Sequence, residues 1–225
     1  MCGIVGLFLK NPALEPELGK HLAVMMIAMS DRGPDSAGIA LYGHEDQGGA
    51  RLTLFHPDTA YDWAGFSTAL GAAMGAKASL VTKGNHAIVT IQGETAPARA
   101  WIKAHRPELR VMGYGKAMDV FKDMGLPAQV SARYDLPHAA GTHGICHTRM
   151  ATESAVTTEH SHPFTAADDM CLVHNGSLSN HNRLREWLVR RGQEFETDND
   201  SEVAARYFAH RLGEGATLTQ ALEAG

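Results

Sequence analysis

Position 2 of the chain is a cysteine, in the run Met1-Cys2-Gly3-Ile4-Val5-Gly6. An initiator methionine is commonly removed before so small a residue, and the chain then begins with a thiol and a free α-amine on one residue. An α-amine ordinarily titrates at about 7.7–8.0 and a thiol at about 8.5. The amine can therefore take the thiol proton near neutral pH, directly or through water, and one residue supplies both nucleophile and base. Gly3 and Gly6 are expected to leave room for a substrate beside the strand. The plain alternative is a small buried hydrophobe on a strand.

Three further groups have the chemistry to complement such a nucleophile. In His174-Asn175-Gly176 an amide side chain and the next backbone N–H can both point at one developing negative charge, and glycine lets that backbone approach closely. The same three residues also fit an ordinary Asn-Gly turn. Arg149, in His147-Thr148-Arg149-Met150-Ala151-Thr152, can grip a carboxylate with both arms of its guanidinium, or form a surface ion pair. Asp198-Asn199-Asp200-Ser201-Glu202 precedes a helical pattern and fits an N-cap, or an aspartate that receives an ammonium group. A clamp for carboxylate together with a clamp for ammonium describes an amino-acid site. His160, His162, Cys171 and His174 have a spacing that invites zinc. However, Cys171 and His174 stand three apart on an expected strand and so face opposite ways, and no metal site is assigned.

Particular elements have to hold these groups. Cys2–Leu9 is apolar on both alternating faces, as in a strand covered on two sides. Leu18, Leu22, Met25 and Met29 recur at helical spacing after Pro16, and Ala37–Tyr42 reads as a strand. From about Arg51 to Pro137 the pattern alternates. His86–Gln92 is a strand, Thr95 caps a helix through His105, Leu109–Met112 is a strand, and Ala117–Met124 is a helix closed by Gly125 and Pro127. His143–His147 and Met170–His174 read as strands. Helices follow from Asn180, with a core face of Leu184, Trp187 and Leu188, from Asp200, and from the capping box of Thr217 and Gln220.

At 225 residues and 44% hydrophobic content the chain is too apolar for a disordered protein and long enough to bury about 70% or more of its unfolded surface without staples. Lys and Arg total 20 against 25 acidic residues, with no basic stripe, so no nucleic-acid partner is expected. The odd, sparse set Cys2, Cys146 and Cys171 fits a reducing compartment. The N-terminal apolar run is too short for a signal or span, and no stretch approaches about 20 apolar residues. The reading is a soluble, cytoplasmic protein with no membrane partner.

In their order along the chain, Cys2-Gly3-Ile4-Val5-Gly6, Arg32-Gly33-Pro34-Asp35-Ser36-Ala37-Gly38, His147-Thr148-Arg149-Met150-Ala151-Thr152, His162-Pro163-Phe164, His174-Asn175-Gly176 and Asp198-Asn199-Asp200-Ser201-Glu202 resemble the class II glutamine amidotransferases, which are N-terminal-nucleophile hydrolases. The resemblance implies that Cys2 attacks the side-chain amide of L-glutamine to form a glutamyl thioester. It implies an oxyanion hole of Asn175 and Gly176, an α-carboxylate held by Arg149 with Thr152 nearby, an α-ammonium received by Asp200, and Arg32 supporting the loop around Cys2. It implies an α+β fold, the four-layer αββα sandwich. The core is expected in residues 1–44 and 140–225, with 45–139 an inserted small α/β subdomain suited to partner docking. Further closing strands of the sandwich, implied by the family after the helix near Ala205, are not found in the sequence.

Within the family the chain is most similar to the separate amidotransferase subunit of glutamate synthase-like systems, including N-methylglutamate synthase. The cues are Asp31-Arg32-Gly33-Pro34-Asp35-Ser36, Met118-Asp119-Val120-Phe121-Lys122-Asp123 and His160-Ser161-His162-Pro163-Phe164. Met150 and Glu153 depart from the Trp and His that relatives such as glucosamine-6-phosphate synthase carry. The implied function is a glutaminase subunit that hands ammonia to a partner synthase. It needs no cofactor in this chain, any flavin or iron-sulfur centre belonging to the partner. A non-catalytic subunit that binds glutamine or glutamate in the same complex is the alternative.

Overall fold

Two sheets with separate apolar faces organise the chain, seen in a computed structural model that describes residues 2–45, 49–150 and 157–224. In chain order the elements are β1 (Gly3–Phe8), α1 (Leu18–Ile27), β2 (Ser36–Tyr42), β3 (Gly49–Phe55), α2 (Trp63–Met74), β4 (Ala78–Lys83), β5 (His86–Gln92), α3 (Thr95–His105), β6 (Arg110–Gly115), β7 (Met118–Met124), α4 (Pro127–Arg133), β8 (His143–Arg149), β9 (Phe164–Ala167), β10 (Met170–Leu172), α5 (His181–Val189), α6 (Asp200–Gly213) and α7 (Leu218–Glu223). The first sheet runs β1-β8-β2-β7 and the second β4-β5-β3-β6, while β9 and β10 pair by themselves. Every pairing is antiparallel, so the fold is mixed α and β with antiparallel sheets.

Strand alternation sorts the side chains into layers. Ala37, Ile39, Leu41, Phe121 and Cys146 of the first sheet pack with Leu18, Leu22 and Met26 of α1 and Val130 of α4. On the opposite face, Ala40, Met118 and Val120 meet Phe55 and Met112 of the second sheet. The outer face of the second sheet, with Leu52, Leu54, Val89 and Ile91, carries Trp63, Phe66 and Leu70 of α2 and Ala98 and Ile102 of α3. Residues 49–115 thus supply the whole second sheet, whereas β7 and α4 join the first. The last helices form a satellite core of Leu188, Val203 and Tyr207, with Leu184 and Trp187 beside it.

Several expectations change. Residues 118–124 form a strand, not a helix. Met118 and Val120 enter the layer between the sheets while Phe121 enters the α1 layer, and β7 pairs with β2 along its full length. Pairing and two-sided burial override local propensity there. Strand β1 has one open face, with Ile4 and Phe8 exposed, because it is the edge of its sheet. In α1 the core contact is Met26, and Met25 is exposed. Thr95 does not cap α3; its hydroxyl donates to Asp168 Oδ1 at 2.7 Å. The Thr217–Gln220 capping box is present as expected. Among the described residues no helix is long and apolar enough to cross a membrane.

Candidate active site around Cys2

Strand β1 carries the site through its register. Gly3 pairs with Thr148 of β8, so Cys2, one step earlier, stands level with Arg149. The half-buried Cys2 has its Sγ 4.0 Å from the Met150 carbonyl oxygen. Its own carbonyl accepts from Asn175 Nδ2 at 2.9 Å and from Arg32 Nε at 3.4 Å. Three segments remote in sequence therefore meet on one peptide unit. The glycine at position 3 serves packing rather than substrate access, since a Cβ there would lie 2.8 Å from both Met29 Cβ and Thr148 Oγ1. At Gly6 a Cβ would make only an ordinary contact with Ile145.

Arg149 closes β8 and is buried. Its Nη1 donates to the His160 carbonyl at 3.2 Å, and its own carbonyl accepts from Asp35 N at 3.0 Å. His160 in turn bonds Asp198 Oδ1 at 3.0 Å and Thr157 Oγ1 at 2.8 Å. Gly33 lies so close under Thr148 and Arg149 that a side chain would strike their backbone. Gly38 likewise faces the His162 carbonyl oxygen with no space for a Cβ. Gly38→Ala is expected to destabilise the protein by about 1–3 kcal/mol, as overpacking does, lowering Tm by about 2–4 °C per kcal/mol. An unchanged Tm in thermal unfolding would show that β2 and this loop do not touch.

The third piece follows β10. His174 Nδ1 bonds Ser201 Oγ at 3.1 Å, the His174 carbonyl accepts from His147 Nε2 at 3.1 Å, and Asp200 Oδ2 accepts from Leu178 N at 2.7 Å. The start of α6 thereby anchors the turn that presents Asn175 and Gly176. The helix cap itself is Asn199, whose side chain accepts from Ser201 N, which frees Asp200 from that task. The structure brings Cys2, Arg32 and Asn175 into direct contact, sets Arg149 level with Cys2 in the register, and ties Asp200 to the turn that holds Asn175 and Gly176. Thr152 lies outside the described residues, as does Glu153.

The four residues with zinc-like spacing have separate partners. Cys171 Sγ lies 3.2 Å from Tyr42 Oη, and burial pushes its thiol up to about 11. His162 stacks on His147 at 4.0 Å, His160 pairs with Asp198, and His174 bonds Ser201. Strand β10 ends at Leu172, so His174 is not on it. Among the described residues no group of three His, Cys, Asp or Glu is placed to hold a metal ion.

Two residues next to the site carried no sequence signal for their roles. His147 is buried and lowered to about 4, chiefly by desolvation. Lys122 is buried on β7, and desolvation lowers its ammonium to about 8. A lysine on a stretch read as a helix is expected in water, and its burial follows only from the placement of β7 beside β2.

A glutamine amidotransferase domain model matches residues 147–223, which includes Arg149, Asn175, Gly176 and Asp200. The chain is 51% identical over 223 residues to the glutamine amidotransferase-like protein GlxB of Rhizobium meliloti, covering 99% of this chain and 74% of that one. It is 33% identical over 235 residues to a putative glutamine amidotransferase of Methanothermobacter thermautotrophicus, covering 99% and 76%. It is also 36% identical over 101 residues to glutamine–fructose-6-phosphate aminotransferase (isomerizing) of Shewanella oneidensis, covering 45% and 17%. With a cysteine at position 2 held by Asn175 and Arg32, and with the first two of these relatives matched along nearly its whole length, the chain belongs to the glutamine amidotransferase family.

Proposed function

We propose that the chain is a class II glutamine amidotransferase subunit whose nucleophile is Cys2, exposed as the N-terminal residue once Met1 is removed. The carrying observation is the meeting of Asn175 Nδ2 and Arg32 Nε on the Cys2 carbonyl. In this reading the Cys2 thiolate attacks the side-chain amide carbon of L-glutamine. A C–S bond forms, the C–N bond breaks, and ammonia leaves with a proton returned through the α-amine. Water then cleaves the thioester to glutamate. Asn175 uses one N–H on Cys2 and keeps a second for the oxyanion, beside the Gly176 N–H. Arg149 holds the α-carboxylate and Asp200 receives the α-ammonium, while Thr152, which the family resemblance assigns to the carboxylate, lies outside the described residues. The helix–sheet–sheet–helix layering supports the N-terminal-nucleophile hydrolase sandwich, in which the 45–139 stretch is divided: residues 49–115 form the second sheet, and β7 and α4 belong with the first. Ammonia released in the open would be protonated and lost, so a glutamate synthase-like partner subunit receives it, and any flavin or iron-sulfur centre sits in that partner.

The test is intact-mass analysis followed by incubation with an electrophilic glutamine analogue. The expected result is a mass lacking Met1, stoichiometric labelling of Cys2, and glutamine-dependent ammonia release. Retained Met1 with no labelling overturns the mechanism. Calorimetric binding of glutamine with no ammonia released, even with the partner present, favours the non-catalytic binding subunit instead.

A further inference from the structure

Lys122 stands on β7, 5% exposed, and its Nζ donates to three carbonyls of one loop: Ser161 at 3.0 Å, Glu159 at 3.2 Å and Pro163 at 3.3 Å. An ammonium carries three N–H donors and no acceptor, so these carbonyls satisfy it completely. Desolvating a cation is costly unless it is fully hydrogen-bonded, and removing it would leave these carbonyls without their donor. The next residue, Asp123, holds the start of the loop by accepting from Thr158 Oγ1 at 3.1 Å.

The loop has a second side. The carbonyls of residues 159, 161 and 163 turn to Lys122, and the intervening carbonyl of His160 turns to Arg149 Nη1 at 3.2 Å. The His160 ring reaches Asp198 Oδ1, two residues before Asp200. The loop is therefore clamped between a lysine on one side and Arg149 on the other.

We propose that Lys122 is a positioning residue for Arg149: by gathering the carbonyls of Glu159, Ser161 and Pro163 it fixes the His160 carbonyl, which aims the Arg149 guanidinium at the α-carboxylate of the substrate. The inference rests on the reading of Arg149 as the carboxylate clamp. Lys122 touches no reacting atom, and its effect is on recognition of the carboxylate.

The experiment compares kcat/KM for glutamine with that for glutamine α-methyl ester, which lacks the charged carboxylate, in the full chain with its partner where turnover requires it. A ratio of two substrates on one preparation is independent of the folded fraction, so partial unfolding cannot imitate the effect. Lys122→Met, and the milder Lys122→Gln, are expected to lower the glutamine-to-ester ratio by about 10- to 100-fold, the scale of a misplacement near 1 Å. The loss is expected in KM, with kcat changing by less than about 3-fold if positioning alone is affected. In an Arg149→Lys background, Lys122→Met is expected to add nothing to the ratio, since coupled groups are not additive. An unchanged ratio in both lysine variants, or full additivity with Arg149→Lys, overturns the proposal. If Arg149→Lys itself leaves the ratio unchanged, the carboxylate clamp is at fault and the proposal falls with it. If the wild-type chain binds without turnover, the same ratio is read as Kd.

Discussion

Cys2→Ala is expected to reduce glutamine-dependent ammonia release by on the order of 10³- to 10⁶-fold, the range seen when a nucleophile is removed from an otherwise intact site. The fold should survive the change. What other elements hold at position 2 is the main-chain carbonyl, through Asn175 and Arg32, and alanine keeps that carbonyl. The thiol makes only the long 4.0 Å approach to the Met150 carbonyl. Thermal unfolding should therefore match the wild type while ammonia release, followed by coupled glutamate dehydrogenase, is lost. Asn175→Ala is the companion. It removes one bond to Cys2 and, under the proposed mechanism, one oxyanion donor, for which about 10²- to 10³-fold in kcat is typical. Ammonia release by Cys2→Ala at the wild-type rate would remove Cys2 from the mechanism.

Stability is expected to fall steeply as the pH drops from 6.5 towards 4. His86, His147 and His162 are all buried, and desolvation lowers them to about 3, about 4 and about 2. His86 sits among Phe55, Phe121 and Tyr134, and His162 against His147 and Phe164. In the unfolded chain each regains its ordinary value near 6.5. Below that pH the unfolded state binds protons that the native state does not, so unfolding stability rises with pH across this window and is lost as pH falls. Three such protons correspond to a slope approaching about 4 kcal/mol per pH unit near pH 5. Desolvation by itself would raise the Asp123 carboxyl, but hydrogen bonds from Tyr134, Arg133, Met124 N and Asn85 together outweigh it and hold the carboxyl below the ordinary range, which acts in the same direction at lower pH. Urea unfolding at pH 7, 6 and 5 measures the slope. His86→Phe, remote from Cys2, should flatten it by about one proton, about 1.4 kcal/mol per pH unit. Equal stability at pH 7 and pH 5, or an unchanged slope in the variant, would sink this account.

The legible part of the fold was what neighbours along the chain decide. The strand after Cys2, the helix from Thr95 to His105 and the capping box at Thr217 depend on residues within a few positions of one another, and each was read close to its observed bounds. The site motifs were legible in the same sense. A cysteine at position 2, an Asn-Gly after an apolar run and an arginine near a strand end are recognisable by type and order, whatever surrounds them.

Contacts far apart in sequence decided the rest. Residues 118–124 have a pattern that suits a helix, yet they lie between two layers and bond along all of β2, and those partners stand about 80 positions upstream. The bonds from Asn175 and Arg32 to the Cys2 carbonyl span 173 and 30 positions. Gly33 and Gly38 read as family motif, but only the packed structure shows that the backbone of Thr148, Arg149 and His162 leaves no room for a side chain. Lys122 is the clearest case. Residue type alone places a lysine in water. Its burial holds because three carbonyls from one loop converge on its ammonium, and convergence of that kind is a property of the tertiary fold. The sequence by itself determined which groups have the chemistry for such a site, because reactivity belongs to residue type. The tertiary structure decided which of them meet and what holds them, because desolvation and long-range hydrogen bonding exist only once the chain is packed.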